Sequence, residues 1–339
     1  MNASHPRPME RIAVVIDPHL RGRSPRARLD DFQTAILRKL TWVVDYCNEQ
    51  NIACMLIPGD LFDSFAVEVT TIGNLAVTLQ RFYGAILTIP GNHDLIAGNP
   101  ETKWRTPYYL LSRLGVTKDL DRKVYVIDGG VGRKNICVSG HGFTYETDTP
   151  EGMGQFDPEA PPCDGAVRIH MVHSMLLTKP PGFDMRHTLI EDVRSDADVI
   201  VSGHDHSGFG VIRRKDGKLF INPGAIARLS ASEAEMSRQV QIAVIDVYPE
   251  GEVSARLIPV ECAEPAVQVL SRERIELADR RNEELDAFLS ILASEGESKF
   301  LGISEIIEDI VARKNLPAIV KKEALQRISA AREMLGGNS

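Results

Sequence analysis

The stretch AILTIPGNHD, Ala85 to Asp94, sets an apolar run directly against four polar or small residues, with only Pro90 between them. Gly91 and Asn92 tolerate positive φ and Asp94 is a capping residue, so a turn is the ordinary reading of the tetrad. Two apolar runs upstream end in the same manner. RIAVVIDPH, Arg11 to His19, finishes on Asp17 and His19, and IACMLIPGDLFD, Ile52 to Asp63, finishes on Asp60 and Asp63. Between the three runs lie residues 29–50 and 67–82, both with helical periodicity. Strand, helix, strand, helix, strand in that order predicts a sheet of parallel strands with helices on its faces.

Further apolar runs follow at 123–128, 135–140, 166–174, 197–206, 208–224 and 239–247. The second half is therefore strand-rich, and the fold class predicted is α/β, with two stacked sheets flanked by helices. The Lys215-Asp216-Gly217-Lys218 stretch reads as a hairpin turn. Residues 145–164, rich in Pro, Gly and acid and lacking Lys and Arg, read as a long functional or mobile loop. Beyond Cys262 the chain is charged and helical in pattern, so domains are expected at 1–262 and 263–339. In the second, Ile303, Ile306, Ile307 and Ile310 form one apolar face. Leu316, Ile319, Val320, Ile328 and Leu335 form another, with Pro317 at the break.

A length of 339 residues suits one large α/β domain with an appendage. No window approaches a membrane span, and the N-terminal residues lack the apolar core of a signal peptide. The five cysteines are scattered and odd in number, as in a chain of reduced thiols, and a cytoplasmic location is expected. A net charge of -8 disfavours non-specific coating of nucleic acid but does not bear on one local basic groove.

The ends of the runs carry the chemistry. Asp17 and His19 end the first, Asp60 and Asp63 the second, and Asn92, His93 and Asp94 the third. His173 ends a later run, and His204, Asp205 and His206 end another. Ligands of open α/β sheets bind outside the carboxyl ends of the strands, and a chain with nine histidines places five of them there. Imidazole with carboxylate and amide oxygen, and no thiolate cluster, suits Mn, Fe or Zn. His204 and His206, on a segment expected to be extended, point the same way and could reach two ions with a carboxylate between them. Two ions about 4 Å apart clamp an in-line displacement at phosphorus.

In chain order, DPH at Asp17, GDLFD at Gly59, GNHD at Gly91, His173 alone and GHDH at Gly203 resemble the motif set of the calcineurin-like metallophosphoesterase superfamily. The resemblance spans about residues 11–225 and implies two packed sheets flanked by helices. It implies that Asp17, His19 and His206 bind one divalent ion, that Asn92, His173 and His204 bind another, and that Asp60 bridges them. It makes His93 a catalytic residue that protonates the leaving oxygen, with Asp94 orienting it. His170, on the opposite strand face from His173, is expected in the core. His141 is expected to be structural or to line the pocket, His187 to lie at the surface, and Asp63 and Asp205 to support the ligands.

Ser64, Phe65 and Asp94 stand where protein phosphatases of the superfamily carry Arg, Gly and Glu, which disfavours that branch. GDLFD, GNHD and INPGAIARLS are most similar to SbcD-type DNA repair nucleases. Arg21, Arg23, Arg26 and Arg28, directly after His19, form a basic loop suited to a polyanionic substrate. The expected function is thus a two-metal phosphodiesterase, a DNA exo- or endonuclease of repair type using Mn2+, with Fe or Zn as alternatives. A hydrolase of small nucleotides or other phosphodiesters is the second reading, and a non-catalytic scaffold the third. The full set of ligand types argues against the scaffold. DNA is the expected partner and a membrane is not. The C-terminal helices could dock an SbcC-like ATPase partner, form a homodimer, or pack on their own domain.

Overall fold

The structure is a computed structural model that describes residues 8–158 and 165–271, together with Glu273 and Val320. The chain divides into two compact units, Met1–Leu270 and Ser271–Ser339. The helical segment expected after 262 lies, beyond Ser271, outside the described residues apart from Glu273 and Val320. The first unit itself runs past Cys262, because Ala266, Val269 and Leu270 are all buried in it.

Strands and helices alternate at the start. β1 (Glu10–Val14) leads to α1 (Phe32–Glu49), β2 (Cys54–Ile57), α2 (Val69–Leu79), β3 (Ala85–Thr88), α3 (Pro107–Arg113) and the short β4 (Lys118–Asp119). Then come β5 (Lys123–Ile127), β6 (Ile136–His141), β7 (Val167–Ser174), a two-stranded ladder of β8 (Leu176–Leu177) and β9 (Thr188–Leu189), and β10 (Val199–His204). The hairpin β11 (Gly210–Arg213) and β12 (Leu219–Asn222), the short α4 (Glu233–Ser237), β13 (Gln241–Val247), β14 (Val253–Pro259) and α5 (Ala266–Val269) complete the unit.

Two six-stranded sheets result, in the orders β14-β13-β1-β2-β3-β4 and β11-β12-β10-β7-β6-β5. β1 to β4 run parallel to one another, and β13 and β14 are antiparallel additions at one edge. In the second sheet β6, β7, β10 and β12 are parallel, with antiparallel β5 and β11 at the edges. The two-sheet reading of the sequence therefore holds. β14 was not foreseen, because Ser254, Arg256 and Pro259 interrupt its apolar run.

The period of two explains the layers. Ile12, Val14 and Ile16 meet Ile169, Met171, Val199 and Val201 in the core between the sheets. Ala13 and Val15 face the other way, onto the helices. α1 begins at Asp31, whose carboxylate accepts the Thr34 amide at 2.7 Å. It buries Phe32, Ile36, Leu40, Val43 and Cys47, the i, i+4, i+8, i+11, i+15 stripe of an amphipathic helix. Each such side chain contributes roughly 1.5–3 kcal/mol on burial, so packing rather than helix propensity holds α1. On the outer face of the second sheet Val172, Ile200 and Phe220 pack under Phe156, Ile190 and Val193. No helix among the described residues is long and apolar enough to cross a membrane.

Candidate metal centre

At the carboxyl ends of β1, β2, β3, β7 and β10 the chain turns sharply. Asp17, His19, Asp60 and His204 all have left-handed backbone, with φ of 45°, 45°, 49° and 84°. Such a conformation costs a non-glycine residue roughly 1–2 kcal/mol. It is held by bonds between loops: the His19 amide donates to the Asp60 carbonyl at 2.9 Å, and Leu20 to Leu61 at 2.9 Å. Glycines permit the approach. A Cβ on Gly91 would lie 2.1 Å from Asp60 Oδ1, and one on Gly59 would lie 2.3 Å from His173 Nδ1.

Each of two buried aspartates has one oxygen pinned and one presented. Asp17 Oδ2 accepts the His204 amide at 2.8 Å, and Asp60 Oδ1 accepts the His93 amide at 3.0 Å. Asp17 Oδ1 and Asp60 Oδ2 are buried and have no hydrogen-bond partner. Asp60 Oδ2 stands between two imidazoles, 3.4 Å from His19 Nε2 and 3.3 Å from His173 Nε2. On the first side His19 Nε2 is 2.9 Å from His206 Nε2, which is 3.8 Å from Asp17 Oδ2. On the second, His173 Nε2 is 3.0 Å from Asn92 Oδ1, and the His173 and His204 ring centres are 4.9 Å apart.

The tautomer of His173 follows from its neighbours. Its Nδ1 meets the Pro58 carbonyl at 2.8 Å, and a carbonyl only accepts, so Nδ1 carries a proton. In the neutral ring Nε2 then turns a lone pair toward Asn92 Oδ1 and Asp60 Oδ2. Three acceptors converging in a buried space call for a cation. Two groups of ligand atoms within 4.8 Å of one another, Asp17–His19–His206 and Asp60–His173–His204, could each hold an ion, and a third is Asp60 with His19 and His93. The donor set thus fits a dinuclear divalent site, to which the presented oxygens of Asp17 and Asp60 would be available as donors.

Without cations, protons take up the strain. Burial works to lower the His173 pKa, but the Asp60 charge beside it prevails and holds it at about 10. Burial works to raise Asp60, but His173 and His19 hold it well below the usual carboxylate range. Burial, and less so the nearby Asp60, push Asp17 up to about 7. Burial and then the neighbouring His173 push His204 down to about 4, and burial and then His19 push His206 down to about 3.

The sequence-level candidates fare differently. Asp17, His19, Asp60, Asn92, His173, His204 and His206 converge. His204 and His206 do not lie on one extended segment, because the chain turns left-handed at His204. Their rings accordingly fall into different groups. His93 is exposed beside Asp60 and His19, its Nδ1 donating to the Asp63 carbonyl at 2.8 Å. Asp94 is corrected. Its buried carboxylate accepts the amides of Gly91, Phe62 and Leu61 at 3.0, 3.1 and 3.3 Å, so it ties two loops together and does not orient the His93 ring. Arg28 is also corrected. It is 2 % exposed, bonds Asp30 and the Arg228 carbonyl and stacks on Phe32, so it is no part of a substrate-facing loop. Arg21 pairs with Asp63 at 2.7 Å, and Arg23 and Arg26 are exposed.

His170 lies in the core as expected, between Ser139 Oγ and the Gln155 carbonyl, both at 2.8 Å. His187 is partly exposed. Two residues escaped the sequence reading. The Phe143 ring lies 6.4 and 6.3 Å from His173 and His204, and Asp148 binds Ser174 Oγ and the Met175 amide at 2.6 and 2.8 Å. Both sit in loops after β6. The only signal was the placing of Phe143 just past the end of a run.

Residues 10–208 match the family described as calcineurin-like phosphoesterase. No curated protein matches the chain in sequence. Among solved structures it is similar to TT1561 of Thermus thermophilus, with 10% identity, 74% of this chain and 99% of that one covered, and a TM-score of 0.44. It is similar to the calcineurin-like phosphoesterase YfkN of Bacillus subtilis, with 13% identity, 81% and 96% covered, and a TM-score of 0.46. It is also similar to a dimetal phosphatase of Danio rerio, with 12% identity, 75% and 99% covered, and a TM-score of 0.45.

Proposed function

Because this chain belongs to the calcineurin-like phosphoesterase family, and so to the metal-dependent hydrolases of phosphoesters, we propose that it cleaves phosphodiesters with two divalent ions and that DNA is its substrate. The observation that carries the two-metal reading is the unpartnered Asp60 Oδ2 set between His19 and His173. One ion would be held by Asp17, His19 and His206, the other by Asn92, His173 and His204, with Asp60 between them. Two divalent ions, Mn2+ being the proposed pair, supply Lewis acidity at the phosphoryl oxygens and activate water at neutral pH.

The chain's own residues do the rest. Asp17 and Asp60 are each pinned by a backbone amide, so their presented oxygens need no reordering when the site fills. His93 lies beside Asp60 and His19 and donates from Nδ1 to the Asp63 carbonyl, which leaves Nε2 as the nitrogen that exchanges a proton. In the protonated ring Nε2 gives that proton to the leaving oxygen. Asp63 joins two parts of the site: its carbonyl holds His93 and its carboxylate stands 3.5 Å from His19 Nδ1 and 2.7 Å from Arg21.

DNA is favoured by Arg23 and Arg26, exposed on the loop that follows His19. The hydrolase of small phosphodiesters is kept as a second reading, because burial of Arg28 and pairing of Arg21 with Asp63 leave that loop less basic than its sequence. Digestion of end-labelled duplex and single-stranded DNA with Mn2+, beside bis-p-nitrophenyl phosphate, separates the two. Replacing Arg23 and Arg26 together spares the Arg21–Asp63 pair. It should flatten the salt dependence of DNA binding by about one unit per lost phosphate contact and leave the small diester unaffected. If DNA is neither bound nor cut while the small diester is hydrolysed, the second reading replaces the first.

A further inference from the structure

Away from the metal centre, five basic side chains gather between α1 and the segment after β12. Three have a carboxylate of their own. Arg28 pairs with Asp30 at 2.7 Å, Arg38 with Glu264 at 3.1 Å, and Arg238 with Glu235 at 2.9 Å. Lys39 and Arg228, 4 % and 6 % exposed, pair with no carboxylate among the described residues. They meet carbonyls only. Lys39 Nζ donates to Ile226 at 2.5 Å, and the two terminal nitrogens of Arg228 donate to Glu264 and Arg238 at 2.9 and 2.6 Å.

Donors are left over. Arg228 Nε is buried and has no hydrogen-bond partner, and the Lys39 ammonium has three protons for one acceptor. Both side chains line a cavity of about 10 Å3, whose wall also holds Arg28, Arg38, Ala35 and Val269 and the acidic Asp30 and Glu264. That is about the space of one water-sized sphere, the scale of a water or a small monatomic ion. A water would accept hydrogen bonds but add no negative charge, and the acids in the wall are already paired, Asp30 with Arg28 and Glu264 with Arg38. Burial, followed by the charges of Arg28, Arg228 and Arg238, accordingly pushes Lys39 down to about 7. Burial and then Arg238 push Arg228 down to about 10.

We propose that this cavity is a halide site, taking chloride in ordinary salt, with Lys39 Nζ and Arg228 Nε as its donors. The anion keeps Lys39 charged and so strengthens its bond to Ile226, since an ammonium donates more strongly than a neutral amine. That residue belongs to a strap shared with the metal centre: Ile226 donates to the Ile16 carbonyl at 2.8 Å, and Ala225 to the His206 carbonyl at 3.0 Å. The site is independent of the substrate reading above.

The experiment is thermal unfolding of the full chain in sodium chloride, sodium bromide or sodium gluconate at one ionic strength, joined to crystals grown in bromide. A site that binds only the folded state raises the midpoint by several degrees and saturates. Halide should do so and gluconate should not. Lys39→Met and Arg228→Met should each lose the difference, and anomalous scattering should place bromide between the two side chains. Equal midpoints of the parent in halide and gluconate, a full halide effect in both variants, or crystals without a bromide peak in the cavity would each overturn the proposal. Should a variant fail to fold, the parent's halide response and the bromide map decide it.

Discussion

At Asp60 one carboxylate oxygen accepts the His93 amide and the other faces two imidazoles, so a single side chain serves both halves of the centre. A neutral amide keeps the first contact but bridges two dications poorly. Asp60→Asn should therefore bind at least one ion fewer than the parent by elemental analysis, with its fold intact by circular dichroism; unchanged stoichiometry would falsify the bridge. His93 tests the opposite case. Its Nδ1 is taken by the Asp63 carbonyl, yet it stands within ligand distance of Asp60 and His19. His93→Ala should keep the full metal content and lose about 10²-fold or more in kcat, the scale of a general acid. Metal loss in that variant would make His93 a ligand instead.

The elements matter through their ends. At the ends of β2, β3 and β10 a glycine lets one loop press on another, and of these three Gly91 is the tightest, its would-be Cβ 2.1 Å from Asp60 Oδ1 and 2.5 Å from Asp60 N. Gly91→Ala must part the β2 and β3 loops. It should cost about 1–3 kcal/mol in urea unfolding, as overpacking does, and lower metal content as Asp60→Asn does. Gly73 is the control. It lies exposed inside α2 with nothing within 4 Å of an added Cβ. Gly73→Ala should stabilise by roughly 0.5–1 kcal/mol with metal and activity unchanged. Equal effects at the two glycines would mean that helix and loop propensity, rather than the approach to Asp60, sets the outcome.

On the scale of the molecule, the outer face of the second sheet carries a buried base. Burial pushes His170 down to about 4 from an ordinary 6.5. The unfolded chain takes up this proton below pH 6.5 and the folded chain only below about 4. Stability is therefore complete above pH 6.5 and is lost as pH falls toward 4, by up to about 3 kcal/mol at 1.36 kcal/mol per unit. In His170→Gln the amide can still accept from Ser139 and donate to Gln155. The stability of the parent minus that of the variant, from urea melts across this window, should fall with pH. A flat difference would show that His170 is not held neutral.

The alternation of Ile12, Val14 and Ile16 with Ala13 and Val15, and the helical stripe of α1, are local periodicities, which is why two sheets with helices outside were legible from the chain alone. So was the convergence of Asp, His and Asn, because parallel strands bring their carboxyl ends to one side. The exceptions were decided by contacts between distant segments. Pro58 and Asp63 orient His173 and His93 through backbone carbonyls, and every residue has one. Asp94 is claimed by three amides of neighbouring loops, Arg28 by Asp30 and the strap after β12, and His204 and His206 are separated by a left-handed turn. None of these choices leaves a mark on side-chain type or spacing. They follow from strand register and loop packing, which only the folded chain brings within hydrogen-bond distance.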